Sequence, residues 1–561
     1  MKSRLYQLIS LFSETEILAS GCEELKEQLS KLNGKEIILS AAGQFKRGKT
    51  SLLNAVLGEP LLPVSTIPET AAVTKIRYGD AFRSEAVYPD GSAEDISREE
   101  LKMFISERES GRRRDISHVN IWYPCVFLRD GITLADTPGV GSVHKHNSQT
   151  AYSFIEESDA VIFVLSADSP VNDTEREFLL SSESYAAKFY FVINKIDLIS
   201  HSERPEYIDY CTGVLKELLK SDDISVFPVS ALTGEGIDSL TAAVRQDFAE
   251  FSSEILMKSV IMKTNILIRE AVSRLKIYLS AVSLESSELN ETMDKFEIKY
   301  RELTEFASQT KYIVSAQTDD LIESAVLSVQ HLQSIRTARI KAKLEQCFSE
   351  SENISVKNFR HEIQTVYEKQ LRCELQDIDE SVMQQLELGY KNITEGLNRR
   401  LQTVCSALSQ ITQELLGAEY YYGVSENRIS EKSDFHFRIN MFTGSTSRLS
   451  DTISAGILTK SSRRKKIFRM YTQKLTDEFS RNTVNIIYNC RYKIQESTRL
   501  LYSDFEKNTN SLISGITDLL DRAKDSSEEK SRTSDLQKSR ISTILMNLEN
   551  TAQEINSGIF I

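Results

Sequence analysis

The distribution of proline divides this chain into two parts that must fold differently. All nine prolines lie at or before Pro228, and residues 229–561 contain none. A proline inside an α-helix removes a hydrogen bond and costs about 3 kcal/mol, so a long proline-free stretch permits long uninterrupted helices. At 561 residues the chain is also too long for one ordinary hydrophobic core. The sequence therefore predicts at least two domains, of which the second is all α-helical.

The region before Pro228 shows a different pattern, in which short apolar runs alternate with helical stretches. The runs read EIILSA, AVTKIRYG, VNIWYPCVF, ITLADT, AVIFVLSA, FYFVINK and ISVFPVSA. Strands that alternate with helices favour a mostly parallel sheet covered by helices on both faces. The predicted fold is thus an α/β domain followed by a long all-α helical-bundle stalk.

We place domain boundaries where this pattern changes. Residues 1–33 are predicted to form an amphipathic helix that packs on the helical bundle, and residues 34–250 the α/β domain. Outgoing helices are expected over 251–434, a basic and apolar tip over 435–470, and returning helices over 471–561.

Composition argues against several classes of protein. The net charge of −13 disfavours a general nucleic-acid binder, which is usually basic. The seven cysteines are scattered and form no CxxC pair, so we predict neither a disulfide framework nor a zinc site. A reducing, cytoplasmic compartment is the expectation. The N-terminus reads poorly as a signal peptide, and no run of about 18 apolar residues predicts a membrane-spanning helix.

The stretch GQFKRGKTS, residues 43–51, follows the first apolar run and fits the phosphate-binding pattern GxxxxGK[ST]. Its glycines let backbone N–H groups curl around phosphates, Lys49 would reach the β and γ oxygens, and the Thr50 hydroxyl would bind Mg²⁺. The helix that follows would direct its positive end at the same charge. The residues of this loop predicted to contact nucleotide are Gly43, Gln44, Lys46, Arg47, Gly48, Lys49, Thr50 and Ser51.

Three further motifs specify a guanine nucleotide. In ADTPGVGS, Asp136 is expected to hold Mg²⁺ through water, and the Gly139 amide to bond the γ-phosphate. In VINKID, Asp197 can accept from both N1–H and the 2-amino group of guanine, a donor pair that adenine lacks. The other base contacts are expected from Asn194, the stem of Lys195, and the backbone of Ser230 and Ala231. Because ligands of open α/β sheets bind at the carboxyl ends of strands, these motifs should meet there.

A GTPase that transfers a phosphoryl group to water also needs a threonine that closes over the γ-phosphate and Mg²⁺. The candidates in LLPVSTIPETAAVTKIRYG are Thr66, Thr70 and Thr74. We choose Thr70, which precedes the next strand in a proline-marked loop, and Thr66 is the alternative. The separation of Lys49 from Asp136 is too long for a minimal small GTPase. An insertion over 83–117 with its own hairpin and helix is therefore expected.

Together, GQFKRGKTSLLNAVLG, LLPVSTIPETAAVTKIRYG, LADTPGVGS, VINKIDL and the long helical remainder resemble the bacterial dynamin-like proteins of the dynamin superfamily. The motif resemblance covers about residues 36–236, and the rest corresponds in architecture only. It implies a homodimer or higher assembly through GTPase domains, hydrolysis stimulated by that contact, and a helical neck and trunk that end in a membrane-binding tip. A paralogous dynamin-like partner stays open as an alternative to self-assembly.

The phosphate loop departs from two branches of this superfamily. Eukaryotic dynamins carry a glutamine at the position of Phe45, and guanylate-binding proteins carry a catalytic arginine at the position of Lys46. We hypothesise that Lys46 or Arg47 stabilises the transition-state charge from the same chain. The alternative is that both cations are solvated or contact a partner subunit.

The tip segment, residues 435–470, combines eight Lys or Arg with a single acid, Asp451, and with several large apolar residues. Such a segment suits an anionic bilayer, where each basic residue contributes about 1 kcal/mol and apolar insertion adds to this. The residues predicted to contact lipid are Phe442, Ile457, Leu458, Arg463, Arg464, Lys465 and Lys466. The alternatives are an ordinary loop between helices and a contact with an acidic partner.

The favoured function is a GTPase whose assembly on membranes tethers or remodels them. A regulatory switch that binds a protein partner through the helices is the main alternative. Ribosome-associated GTPases share the nucleotide motifs, but the acidic balance of this chain predicts no nucleic-acid partner.

Overall fold

A computed structural model describes the chain except residue 45, the stretches 65–72, 106–115, 138–153, 423–428 and 430–458, and residues 170, 172, 184, 222–223, 529–530 and 559–561. The chain falls into two compact units. Unit 1 combines Met1–Ala307, Asn398–Lys432 and Asp504–Ile561, and unit 2 combines Ser308–Leu397 and Ser433–Ser503.

Unit 1 contains a nine-stranded sheet. Its strands, in chain order, are β1 Ile37–Ala42, β2 Val73–Tyr78, β3 Arg83–Val87, β4 Ala93–Asp95, β5 His118–Tyr123, β6 Ile132–Asp136, β7 Ala160–Ser166, β8 Lys188–Asn194 and β9 Val226–Pro228. Across the sheet they are ordered β4-β3-β5-β2-β6-β1-β7-β8-β9. The five strands from β6 to β9 in this order are parallel, whereas β2 joins β6 in antiparallel orientation. The prediction of a mostly parallel sheet is confirmed.

The strands that read as continuous apolar runs form the centre of this sheet. Every residue of β1, β6 and β7 is buried. Successive side chains of a strand point to opposite faces, so complete burial means that both faces of these strands are covered. The insertion between the phosphate loop and β6 contains the expected hairpin, because β3 and β4 pair antiparallel and a short helix, Leu101–Ile105, follows.

The described part of the chain also contains α-helices of very different lengths. They are α1 Lys2–Ser13, α2 Ala19–Gly34, α3 Lys49–Leu57, α4 Leu101–Ile105, α5 Asp173–Ser182, α6 Arg204–Leu219, α7 Ile237–Ser283, α8 Ser286–Glu350, α9 Val356–Leu416, α10 Lys460–Glu528 and α11 Ser531–Asn556. Among the described residues, no helix combines the length and the apolar character that crossing a membrane requires.

Residues 1–33 form two helices rather than the single one we expected. Thr15 is extended, and its hydroxyl accepts a hydrogen bond from the Ile17 amide at 3.3 Å, which caps a short 3₁₀ turn between α1 and α2. The two helices pack with α7 and α11 to form what we call the neck bundle. Ion pairs cross it, including Arg4–Glu554 at 2.9 Å. Within unit 1, the N-terminal helices thus contact α7 and α11.

The prediction of one outgoing helical path over 251–434 is wrong. Helices α8 and α9 are antiparallel, since Arg336 of α8 pairs with Glu374 at 2.7 Å and Ser324, earlier in α8, accepts from Gln385 at 2.6 Å. The chain therefore turns at residues 351–355, and α9 runs back. The boundary predicted at residue 250 is also displaced, because α7 begins at residue 237 and passes through that position without a break.

In unit 2, the first turns of α10 pack near the turn between α8 and α9. Arg464 is only 5% exposed, its Nη2 donates to the Phe348 carbonyl at 2.8 Å, and its guanidinium lies 4.6 Å from the centre of the Phe359 ring. This arrangement contradicts the predicted lipid contact of Arg464, because its charge is enclosed by aromatic side chains and a backbone oxygen.

The other predicted tip residues differ among themselves. Lys465 and Lys466 are exposed, and Arg463 is half-buried. The apolar residues named for lipid contact lie outside the described residues: Phe442, Ile457 and Leu458.

Candidate nucleotide-binding site

The loop that joins β1 to α3 has room for glycine alone at two positions. Gly43 has φ +143°, and a Cβ there would lie 2.5 Å from the Val164 carbonyl oxygen. Gly48 has φ +84°, and a Cβ there would lie 2.5 Å from Nδ2 of Asn194. Both the close approach and the positive φ favour glycine. Helix α3 begins at the next residue, so its N-terminal amides lie beside the loop.

Lys49 spans this loop from its buried position. Its Nζ donates to the carbonyl oxygens of Gly43 at 2.9 Å and Gln44 at 3.1 Å. Burial lowers the pKa of Lys49 to about 8, although the charges of Asp136 and Glu175 act in the opposite direction. Burial disfavours the charged ammonium of Lys49. An anion bound in the loop would stabilise that ammonium, and the oxygens of the anion could replace the two carbonyls as acceptors.

Thr50 and Asp136 form a second feature of the site. The Thr50 hydroxyl donates to Oδ2 of Asp136 at 2.9 Å, and Asp136 is fully buried at the end of β6. Its other oxygen, Oδ1, has no hydrogen-bond partner within the described part of the chain. Burial raises the pKa of Asp136 to about 6, against the effects of the Thr50 hydrogen bond and Lys49. A carboxylate and a hydroxyl are oxygen ligands of the kind Mg²⁺ prefers, so these residues fit that ion.

Asn194, at the end of β8, connects three parts of the site. Its Nδ2 donates to the Arg47 carbonyl at 2.9 Å, and its Oδ1 accepts from the amides of Lys195 at 2.8 Å and Ala231 at 3.0 Å. The amide therefore ties the phosphate loop to the loop that begins at Ser230. Lys195 adds a second tie, since its Nζ donates to the Lys46 carbonyl at 2.8 Å.

A cavity of about 780 Å³ lies beside these ties, and Asp197 is among the residues that line it. Oδ1 of Asp197 is buried and has no hydrogen-bond partner among the described residues. The cavity therefore offers a carboxylate oxygen to a ligand that carries N–H donors. Its walls also include Ser51, Asn54, Lys195, Leu198, Ala231, Leu232 and Ile237.

The two cations of the loop lie in different environments. Arg47 is 3% exposed and forms a two-pronged ion pair with Glu175 of α5, with Nε–Oε1 at 2.7 Å and Nη2–Oε2 at 2.9 Å. Its Nη1 also donates to the Ser169 carbonyl at 3.1 Å. Lys46 is exposed and has φ +67°. Sequence reasoning missed Glu175, because no motif spacing connects two residues 128 positions apart.

The residues proposed to close over the nucleotide are only partly described. Thr74 lies in β2 opposite Asp136, is completely buried, and its hydroxyl has no partner in the described structure. A residue held within a strand does not suit the role of a closing threonine, which agrees with our choice of another candidate. The remaining residues named for this role or for the loop lie outside the described residues: Phe45, Thr66, Thr70 and Gly139.

Comparisons with known proteins agree with this geometry. The family model described as the dynamin family matches residues 39–197. The uncharacterized protein in the xynA 3' region of Caldicellulosiruptor sp. (strain Rt8B.4) is 38% identical over 226 residues, which are 40% of this chain and 56% of that protein. Dynamin-like protein 1 of Campylobacter jejuni is 28% identical over 328 residues, 50% of this chain and 44% of that protein. The chain thus spans about half the length of these curated relatives.

A solved structure of an oligomerised bacterial dynamin pair aligns with 99% of this chain and 95% of its own, at 15% identity and a TM-score of 0.42. The family match includes most of β1, the phosphate loop, β6 and the strand end at Asn194, which contribute to the site described above. Residues 39–197 therefore match the dynamin family, as the motif resemblance predicted.

Proposed function

We propose that this protein binds GTP with Mg²⁺, hydrolyses it, and uses its helical region to bind and tether or remodel membranes. The observation that carries the catalytic part is a pair of buried carboxylate oxygens without partners, Oδ1 of Asp136 and Oδ1 of Asp197. An unpaired buried acceptor is costly, so each of these two oxygens calls for an explanation, and a bound ligand supplies one for both. The first suits a divalent cation, and the second suits the N–H edge of guanine.

In this proposal each group of the loop has one task. Lys49 and the loop amides bind the β- and γ-phosphates, and Thr50 and Asp136 hold Mg²⁺, which supplies positive charge against the phosphates. Thr70 and the Gly139 amide close over the γ-phosphate, and exposed Lys46 is the candidate for the cation that stabilises the transition state. Assembly through GTPase domains would then bring two such sites together.

Base selection is the sharpest test of the nucleotide. Replacing Asp197 with Asn exchanges a carboxylate acceptor for an amide that can donate to the 2-oxo group of xanthine. We expect Asp197→Asn to weaken GTP binding by roughly a hundredfold or more and to strengthen XTP binding by a similar factor, because each mismatched hydrogen bond leaves a buried polar group unpaired.

Titration of fluorescent GDP, XDP and ATP analogues by polarisation measures this exchange. The wild type should bind the guanine analogue in preference to the other two. Asp209→Asn, which changes an exposed acid on α6, is the matched control. Equal affinity of the wild type for guanine and adenine nucleotides would contradict the proposal.

The membrane part rests on the charges at the start of α10. The first turns of this helix carry Lys460, Arg463, Arg464, Lys465 and Lys466. Cations near a helix N-terminus are unfavourable, because the helix dipole places positive charge there. Arg464 is enclosed within the protein, but an external anionic surface would account for the exposed cations, of which Lys465 and Lys466 are the residues best placed to meet it.

Co-sedimentation with phosphatidylserine-containing vesicles tests this part. The double variant Lys465→Glu with Lys466→Glu should lower vesicle partitioning by roughly thirtyfold or more, since each basic residue near an anionic bilayer contributes about 1 kcal/mol. Arg491→Glu with Lys507→Glu makes the same charge change at exposed positions later in the same helix. Equal losses of vesicle binding in the two double variants would contradict a specific contact of Lys465 and Lys466 with the bilayer. Binding to a protein partner without binding to vesicles would favour the regulatory switch.

A further inference from the structure

We infer that Arg47 and Glu175 are a positioning pair, which holds the phosphate loop in the shape that receives nucleotide, and that Arg47 is not the transition-state cation. This inference deepens the proposed function and rests on it, because it assigns roles within the same GTP site. It assigns different roles to Lys46 and Arg47, for which the sequence offered the same catalytic role.

The contacts of Arg47 place its charge inside the protein. Both prongs of the guanidinium meet the Glu175 carboxylate, at 2.7 and 2.9 Å, and a third nitrogen meets the Ser169 carbonyl at 3.1 Å. Arg47 is 3% exposed and Glu175 is fully buried. A two-pronged arginine–carboxylate contact has directional requirements that a point charge lacks, so it fixes orientation as well as attraction.

The backbone carbonyls of Lys46 and Arg47 have separate anchors at the end of β8. The Lys46 carbonyl accepts from Nζ of Lys195 at 2.8 Å, and the Arg47 carbonyl accepts from Nδ2 of Asn194 at 2.9 Å. Lys46 has φ +67°, which L-residues other than glycine seldom adopt, so surrounding contacts must maintain this conformation. Strand β8 thus holds the loop backbone, and helix α5 holds the Arg47 side chain.

The pairing also removes Arg47 from the catalytic role. A guanidinium that swung toward a transferring phosphoryl group would leave Glu175 buried and without its ionic partner, which is strongly unfavourable. Arg47 therefore contributes to the shape of the loop, while Lys46 keeps an exposed side chain.

Hydrogen exchange of the nucleotide-free protein tests the positioning role without requiring GTP binding. We expect Arg47→Met and Glu175→Gln each to speed exchange of amides 43–48, and Glu183→Gln, an exposed acid just after α5, to leave it unchanged. Arg47→Met with Glu175→Leu removes both charges, and its combined effect should be smaller than the sum of the effects of Arg47→Met and Glu175→Leu measured singly. Unchanged exchange in both single variants would overturn the inference.

Nucleotide kinetics then separate positioning from catalysis. Arg47→Met and Glu175→Gln should raise the Kd for GTP by roughly tenfold to a hundredfold, with kcat at saturating GTP within about threefold of the wild type. A transition-state cation predicts the reverse: kcat falling by about a thousandfold for Arg47→Met, Kd unchanged, and Glu175→Gln without effect. That result would overturn the inference.

Two controls keep the test decisive. If Arg47→Met does not fold, Glu175→Gln and the double variant carry the comparison, because a buried ion pair can often be replaced by apolar residues without loss of stability. If the wild type neither binds nor hydrolyses GTP, the proposed function fails, whereas faster loop exchange in the variants would still support the positioning pair.

Discussion

The two ends of the strands in the parallel sheet bury carboxylates in opposite states. At the carboxyl ends, Asp136 and Asp197 each have one buried oxygen without a partner in the described structure. At the amino ends, Asp159 is fully buried just before β7 and is fully engaged. Its Oδ2 accepts from the Ile38 amide at 2.9 Å, and its Oδ1 accepts from Ser259 Oγ at 2.6 Å.

The carboxylates at the two ends of the strands also differ in the charges around them and in the direction of their pKa shifts. Lys263 Nζ lies 3.1 Å and Lys31 Nζ 3.5 Å from Oδ1 of Asp159. Burial alone would raise the pKa of Asp159, but these two lysines and the hydrogen bonds hold it below its usual value. Burial dominates at Asp136, whose pKa rises to about 6. Asp159 is a fully engaged buried carboxylate that serves the fold, whereas the unpaired oxygen of Asp136 fits the ligand proposed for this site.

The engaged site also has a mechanical consequence within unit 1. Ser259 and Lys263 belong to α7, and Lys31 belongs to α2, so Asp159 joins the sheet to two helices of the neck bundle. Helix α7 begins beside the nucleotide cavity, which Ile237 lines, and passes this junction without a break. One continuous helix thus contacts both ends of the sheet.

The largest effect should follow from breaking the engaged site. We expect Asp159→Asn to lower the free energy of unfolding by roughly 3–5 kcal/mol, because it leaves the buried Lys263 ammonium without its ionic partner. Urea unfolding followed by fluorescence of the single tryptophan, Trp122, which lies in the same unit, measures this loss. Asp209→Asn is the matched control, and equal stability of the two variants would contradict the comparison.

Substitution of Asp136, which has an unpaired oxygen, should lower activity rather than stability. We expect Asp136→Asn to lower kcat/KM for GTP by roughly a hundredfold, equivalent to about 2.7 kcal/mol, because it weakens the ligand set for Mg²⁺. Without nucleotide, its melting temperature should equal or exceed that of the wild type, since the substitution removes a charge that burial disfavours. Asp130→Asn changes a nearby exposed acid as the control. A clear loss of stability in nucleotide-free Asp136→Asn would contradict the proposed difference between Asp136 and the structural carboxylate Asp159.

The smallest effect concerns pH. Since the folded pKa of Asp159 lies below its ordinary value of 3.8, its stabilisation is complete above that pH and is lost as pH falls through the folded pKa. The stability difference between the wild type and Asp159→Asn should therefore narrow as pH falls below 3.8. Urea titrations at several pH values measure the difference. A stability difference that already narrows near neutral pH would point to another titrating group.

Prediction from sequence succeeded where the signal is local. The continuous apolar runs of β1, β6 and β7 became the buried centre of the sheet, and GQFKRGKTS became the glycine-dependent loop beside Asp136. It failed where an outcome depends on distant partners. No periodicity in the sequence indicates that α9 runs antiparallel to α8. No motif spacing connects Arg464 with Phe348, which lies 116 positions away and helps to enclose it.

The sequence by itself determined the α/β domain, the guanine-nucleotide motifs and the long helices, because strand burial, glycine placement and the absence of proline act over short stretches. The tertiary structure decided which of the loop's charges is buried in an ion pair and which lies at the surface. Arg47 and Lys46 are adjacent in sequence, yet Glu175 of α5 holds one of them inside the protein while the other stays at the surface. Such a difference depends on where a folded chain brings an opposite charge, and neighbouring residues do not specify that.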